Sequence, residues 1–432
     1  LIFTFAHDNE KKHVPLVIKE SLVSPSASCF TVVVGKNGVG KSRLLSALAT
    51  ETTKAAQRHF FSANSYHPFR RVIAVSTSPF DIFPLSRKFS GDSNSEDKYS
   101  YVGMRSRLPF GNTSSIGLIA SAARGLLSKY LEDHDNLRLI SVFELLGFSS
   151  DLDLIFKLSS KFEGHRSPSY FERTEKEDGL SEEMLLEVEL TLKELQKLTD
   201  HNENFVLKFS LETTSYSIKE RKYYDRRFMK KILFLLDKNI IRLIDVRLNK
   251  HEHGSISLRR ASSGEQCMLV SMLGIASYIS DDSLILIDEP EISLHPEWQE
   301  KYFEILHSAF SHYKRCQFVI ATHSPQIVAS LPSKNCFILS LSENEIYDSR
   351  HYQNKSSDFQ LAELFGAPGS NNEYLGRLAM NLFLRVSKSK TFSTDDQKML
   401  RKLKNLSKSL PSGTAITELI FSLSEMEKYE WQ

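Results

Sequence analysis

The sequence is poor in cysteine and tryptophan and has no strong excess of either charge. Its four cysteines, Cys29, Cys267, Cys316 and Cys336, are scattered and form no CxxC pair. That excludes a disulfide framework and a thiolate zinc site, and points to a reducing, cytoplasmic setting. The formal net charge is only +2, so no global field draws the chain to nucleic acid, and any basic surface must be local. No apolar run approaches the roughly eighteen residues that span a bilayer, and the N-terminus shows no signal-peptide pattern. No membrane partner is expected. The chain begins at Leu1 rather than methionine, so further native residues are expected. What remains is 432 residues, 41% hydrophobic and 25% charged. That is enough for one large domain with insertions, or two to three ordinary ones.

Strand-like alternation opens the chain at residues 2–5 and 14–18, followed by the buried-type run FTVVV at 30–34. A helix is predicted from Lys41 to about Thr53, and a second buried strand at 72–75 ends in STSPFD (76–81). The polar stretch SGDSNSEDKY (90–99) reads as a mobile loop. From 114 to 198 the pattern is helical, with Met184, Val188, Leu192, Leu195 and Leu198 at spacings of three and four. Strand character returns at 205–211, 240–246, 284–287 and 318–321, with amphipathic helices between the later ones. Beyond 341 the chain reads as mostly helical, and no internal repeat is present. The expected organisation is an α/β head in two parts, 1–89 and 236–345, interrupted by a mainly helical insertion, 90–235. A helical C-terminal region, 346–432, follows.

Four motifs carry chemistry. GKNGVGKS (35–42) is a complete GxxxxGK[ST] phosphate loop between a β-branched run and a helix start. Gly35, Asn37, Gly38 and Gly40 allow a tight turn whose N–H groups face phosphate oxygens. The helix N-terminus adds partial positive charge. Lys41 is placed to neutralise the β- and γ-phosphates, and the Ser42 hydroxyl to ligate Mg²⁺. The bland alternative is a glycine-rich turn with a chance lysine. LILIDEP (284–290) is a buried strand delivering Asp288 to a magnesium shell and Glu289 to polarise water; two carboxylates there could instead cap a helix. SSGEQ (262–266) alone is only a helix N-cap signal, serine followed by glutamate. FVIATHSP (318–325) delivers His323 at a strand end, where a neutral imidazole could meet a γ-phosphate, although a lone histidine is more often structural.

In this order the four motifs resemble the ABC/SMC-type P-loop ATPases. The EISLHPEWQ continuation (291–299) is similar to the OLD-like and PtuA-like branch of Septu and Septu-like retron anti-phage defence. The resemblance covers residues 31–75 and 260–339. It implies a head with a mixed β-sheet, a largely helical insertion and a helical C-terminal region, with ATP and Mg²⁺ as cofactors. It also implies that Ser263, Gly264 and Glu265 of one copy meet the nucleotide of another, Glu265 standing where transporters have a second glycine. A homodimer or higher oligomer is therefore expected, with catalysis by Glu289 and His323 and metal ligation by Ser42 and Asp288. The glutamine usual after the second strand is absent; Asp81 or a nearby serine is a candidate for its place in the magnesium shell. No Toprim-like acidic set follows His323, since Asp395 and Asp396 lie at a helix start. A nuclease, if one is involved, is thus expected on a separate chain of the HNH type.

Weaker features leave alternatives open. The run KERKYYDRRFMKK, from Lys219 to Lys231, interleaves base and aromatic as DNA or RNA contacts do, or is a solvated helix face. The basic stretch 385–408 is another candidate for nucleic-acid contact, but its leucine spacing suits a docked helix. The charged run 172–178 and the pair Glu182–Glu183 read as solvated surface. Two other functions compete with a partner-controlling ATPase. One is a repair or recombination ATPase acting on DNA itself; the other is a scaffold clamped by nucleotide with little hydrolysis.

Overall fold

The computed structural model describes residues 2–7, 10–22, 24, 26–58, 69–85, 98–103, 119, 122–125, 127, 140, 143–144, 146–159, 182–196, 204–210, 226–250, 254–411 and 413–428. The chain forms two compact units, one of residues 1–48, 296–304 and 317–432, the other of residues 49–295 and 305–316. Each unit holds strands of the mixed β-sheet expected of the head.

In the first unit, β1 (Ile2–His7) and β2 (Glu10–Pro15) pair antiparallel. The strand expected at 14–18 instead starts at Glu10 and stops at Pro15, a residue with no N–H to extend a ladder. β3 (Cys29–Val34) is wholly buried and lies between parallel neighbours β11 (Gln317–Ala321) and β12 (Cys336–Ser340). That burial on both faces is why its sequence is a continuous apolar run rather than an alternation. Phe30 stacks on Phe318 at 4.5 Å and meets Phe303 edge-on at 5.1 Å. The polar member, Thr31, is satisfied: its hydroxyl donates to the Leu16 carbonyl at 2.5 Å and accepts from Gln317 at 3.0 Å. β13 (Glu345–Asp348) pairs antiparallel with β12, giving this part the order β13-β12-β3-β11.

The C-terminal region is helical, as expected: α7 (Ser357–Glu363), α8 (Glu373–Ser389), α9 (Thr394–Ser407) and α10 (Ala415–Lys428). Asn372 caps α8, and Ser393 with Asp396 forms a capping box on α9. Leu375, Leu382, Val386, Leu400, Leu403 and Leu423 build a core of their own. Three cations of 385–408 are tied to neighbouring helices, Arg385 to Asp396, Lys402 to Glu363 and Lys404 to Glu427. This stretch is a docked helical element.

The second unit holds β4 (Arg71–Ser76), β5 (Tyr99–Gly103) and β10 (Ser283–Asp288), all parallel, in the order β10-β4-β5. It also holds β6 (Phe148–Leu158), β7 (Phe205–Ser210), β8 (Ile241–Lys250) and β9 (Gly254–Ser257). These four form an antiparallel sheet, order β7-β6-β8-β9. The helical pattern expected through 114–198 is therefore corrected at β6. There Phe148, Ser150, Leu152, Leu154 and Phe156 are buried at every second position, the period of a strand. Helices α2 (Glu182–Gln196) and α3 (Arg226–Asp237) belong to the same insertion. The polar stretch 90–97, the charged run 172–178 and residues 219–225 of the basic run lie outside the described residues. Among the described residues, no helix is long and apolar enough to cross a membrane.

Candidate functional site

The phosphate loop leaves the carboxyl end of β3, and α1 (Lys41–Arg58) starts on its lysine, running a turn beyond the expected end near Thr53. Gly35 has φ 152°; a Cβ there would sit 3.0 Å from Val39 Cγ1 and 3.1 Å from the Ser342 hydroxyl. Only glycine fits that conformation and space. Asn37 and Gly38 are exposed at the loop tip, Gly40 (φ 99°) is half-buried, and Ser42 is half-buried in the first helical turn. Lys41 is buried at 5% exposure, its ammonium donating to the carbonyls of Gly35 at 3.1 Å and Lys36 at 3.3 Å. A charge buried so deeply needs partners, and the loop backbone provides them. Lys36 packs along Gly366, where a Cβ would come within 3.0 Å of its Cε. The C-terminal region thus touches the loop.

His323 is in the same unit, after β11. Thr322 N donates to the Val33 carbonyl at 3.2 Å, and the Thr322 hydroxyl accepts from Ser324 N at 3.0 Å. Ser324 caps α6 (Pro325–Ala329), accepting from Ile327 N. It also donates at 2.6 Å to Gln299 in the first turn of α5 (Pro296–Phe310). His323 is therefore gripped between two anchored neighbours. Burial, with the nearby Lys41 charge, pushes its pKa down to about 4, so the imidazole is neutral near pH 7. A neutral imidazole can donate a hydrogen bond to an anion and adds no charge of its own.

In the second unit, β10 is buried throughout and pairs with β4 so that Asp288 stands opposite Ser76. Asp288 is 3% exposed, and Glu289 is half-buried with φ 49°. A left-handed backbone costs a non-glycine residue about 1–2 kcal/mol, and such strain concentrates at working sites. α4 (Ser263–Tyr278) carries the third motif. Ser262 caps it in a reciprocal box: Glu265 N donates to the Ser262 hydroxyl, and Ser262 N donates to Glu265 Oε2 at 2.9 Å. Lys250 reaches Glu265 Oε1 at 2.7 Å from the end of β8. Burial pushes the Glu265 carboxyl up, but hydrogen bonds from Lys250 and Ser262 prevail and hold it below its ordinary range. Glu265 thus builds the helix start, while Ser263 is exposed beside buried Gly264.

The first unit holds the phosphate loop and His323; the second holds Asp288, Glu289 and residues 262–266. Positive-φ glycines, a lysine and a helix start suit a polyphosphate. Hydroxyl and carboxylate oxygens of the kind offered by Ser42 and Asp288 suit magnesium. Asp81 accepts from Phe83 N at 3.1 Å and from the Tyr101 hydroxyl at 2.6 Å. Sequence reasoning missed Lys250, which no motif marks.

The profile of the family described as "AAA domain, putative AbiEii toxin, Type IV TA system" matches residues 50–329, about two thirds of the chain. The match takes in the second, third and fourth motifs and begins after the phosphate loop. The chain is similar to "Retron Ec83 probable ATPase" of Escherichia coli, 31% identical over 96 residues, 20% of this chain and 17% of that protein. It is also similar to "Protein ea59" of Escherichia phage lambda, 24% identical over 312 residues, 70% of this chain and 46% of that protein. "Retron Vc95 probable ATPase" of Vibrio cholerae serotype O1 biovar El Tor is 24% identical over 157 residues, 34% of this chain and 29% of that protein. The matched region spans less than half the length of each of these relatives. On the extent of the profile match, the chain belongs to the AAA-domain family described by the putative AbiEii toxin of Type IV toxin–antitoxin systems.

Proposed function

We propose that the chain is a magnesium-dependent ATPase of the ABC/SMC kind, and that ATP-driven pairing of two copies controls a separate HNH-type nuclease in anti-phage defence. The observation that carries the reading is the first unit's loop. A buried strand runs into glycines at positive φ, and a buried lysine shares that unit with a histidine kept neutral. Two retron proteins named as probable ATPases among the relatives support the ATPase and defence setting; its Septu-like, PtuA-like form rests on the EISLHPEWQ resemblance alone.

In this reading the N–H groups of residues 35–42 receive the phosphates, and Lys41 exchanges its loop carbonyls for the β- and γ-phosphate oxygens. Ser42 and Asp288 serve as magnesium ligands; the ion, when bound, supplies positive charge against the developing charge on phosphate. Glu289 accepts a proton from the attacking water, and His323 donates to a γ-phosphate oxygen. Ser263, exposed at the start of α4, offers its hydroxyl to the nucleotide of a second copy, with Gly264 allowing close backbone approach and Glu265 fixing the helix start.

Steady-state ATP turnover and ATP-dependent sedimentation test this together. Glu289→Gln lowers turnover about 10²-fold or more, the range for loss of a general base, while trapping an ATP-bound pair of copies. Equal background turnover in wild type and Glu289→Gln would sink the enzymatic reading, and monomers under ATP would sink the pairing. Co-purification with a small nuclease checks the partner.

A further inference from the structure

Two surface patches of the first unit carry opposite charge, and neither is neutralised by the described residues. On β13, Glu345 and Tyr347 are two residues apart and share a face, and Glu343 joins them from the turn before the strand. The Tyr347 hydroxyl lies 2.9 Å from Glu343 Oε2 and 2.8 Å from Glu345 Oε2. A phenol has one proton to donate, so it serves one carboxylate at a time while two like charges stay close. Both glutamates are exposed, and among the described residues no cation pairs with either.

The second patch is the outer face of α8. Arg377, Met380, Leu384 and Lys388 recur there at spacings of three and four, one stripe of a helix. Met380 is 47% and Leu384 59% exposed. Neither Arg377 nor Lys388 has an ion-pair partner among the described residues. Glu373, in the first turn, is the one acid in the stripe. A single exposed leucine needs no reason, but an apolar pair between two unpaired cations does. An aromatic row joins the patches. Tyr347 meets Tyr352 at 5.6 Å, Tyr352 meets Phe359 at 5.8 Å, and Phe359 meets Tyr374, at the start of α8, at 5.0 Å. The row already takes one ammonium, Lys355 over Phe359 at 5.9 Å.

We infer that this surface pairs with itself: in a homodimer formed without nucleotide, the α8 stripe of each copy docks on Glu343 and Glu345 of the other. A two-fold axis through the aromatic row makes each contact twice, because one surface carries both the cationic and the acidic end. Burial of Met380 and Leu384 supplies the apolar gain, and the opposed charges set the register. This contact is distinct from the ATP-driven pairing proposed above, which runs through residues 35–42 and 263–265.

The test is sedimentation of the full chain in EDTA without nucleotide, at up to about 100 μM, in low and high salt. Wild type is expected to form dimers that weaken as salt rises. Arg377→Glu with Lys388→Glu, and Glu343→Lys with Glu345→Lys, each set like charges across the contact and raise the dissociation constant about 10-fold or more. Combining all four reversals restores opposite charges and returns the constant to within about threefold of wild type. Leu384→Ser weakens the dimer with no change of charge. All these side chains are exposed, so melting points stay near wild type and report that each variant is folded. A wild type that stays monomeric in EDTA overturns the inference and gives the face to another protein. So does a combined variant no tighter than either double variant, or double variants that dimerise like wild type. The ATPase reading is judged separately, by turnover and pairing with ATP, and survives any of these results.

Discussion

Glu265 offers the sharpest test of how the third motif is built. Replacing it by glycine restores the transporter-like form of the signature, yet the structure gives the glutamate a mechanical role. Its carboxylate accepts from Ser262 N and the Ser262 hydroxyl, both at 2.9 Å, and from Lys250 at 2.7 Å, with the side chain only 12% exposed. Hydrogen bonds to a charged group are worth about 1.5–3 kcal/mol, and glycine in a helix costs about 1 kcal/mol relative to alanine. Lys250 keeps a contact with the Phe148 ring at 5.6 Å, which softens its loss. Glu265→Gly should therefore lose about 3 kcal/mol and Glu265→Gln about 1 kcal/mol, read by urea unfolding. The pH dependence has a definite sign. A carboxyl held below its ordinary 4.5 contributes stability that is fully present above that value and lost as pH falls through the folded pKa. The gap between wild type and variants should be constant from pH 8 to 6 and narrow below about 4.5. Equal stability of Glu265→Gly and wild type at pH 7, or a gap unchanged down to pH 3, would refute the reasoning.

Two further outcomes are expected. His323, depressed to about 4, stays neutral in the folded protein while an unfolded chain takes up a proton near 6.5, so its share of stability is present above 6.5 and falls away towards pH 4; Lys41→Met should raise its NMR titration midpoint, and a wild-type midpoint near 6.5 would contradict the burial argument. Leu382→Ala, at a fully buried position of the C-terminal core, should cost about 2–5 kcal/mol; hydrogen exchange should locate the loosening in α8, α9 and α10, and unchanged protection there would count against a core of that kind.

Local structure was legible in the sequence wherever a motif and its own backbone suffice. The phosphate loop, the buried strand ending at Asp288 and the serine–glutamate helix start each declare themselves within a few residues, and the structure draws them as read. What escaped depends on distant partners. β6 carries a period-two burial pattern, but its partners β7 and β8 lie some fifty and ninety residues on, and the helical spacing after it dominated the reading. The approach of Gly366 to Lys36, and of Ser342 to Gly35, spans over three hundred residues and leaves no local trace.

The position of β3 between β11 and β12 also sets a timetable for biosynthesis. Both its flanking strands are encoded ~280 residues or more downstream. At roughly 5–20 residues per second, that is a delay on the order of 15–60 s. Until Gln317–Ala321 and Cys336–Ser340 leave the ribosome, the strand that launches the phosphate loop has two unpaired apolar edges. A nascent chain in that window would be a client for chaperones, because the loop's own strand waits on partners encoded far downstream of it.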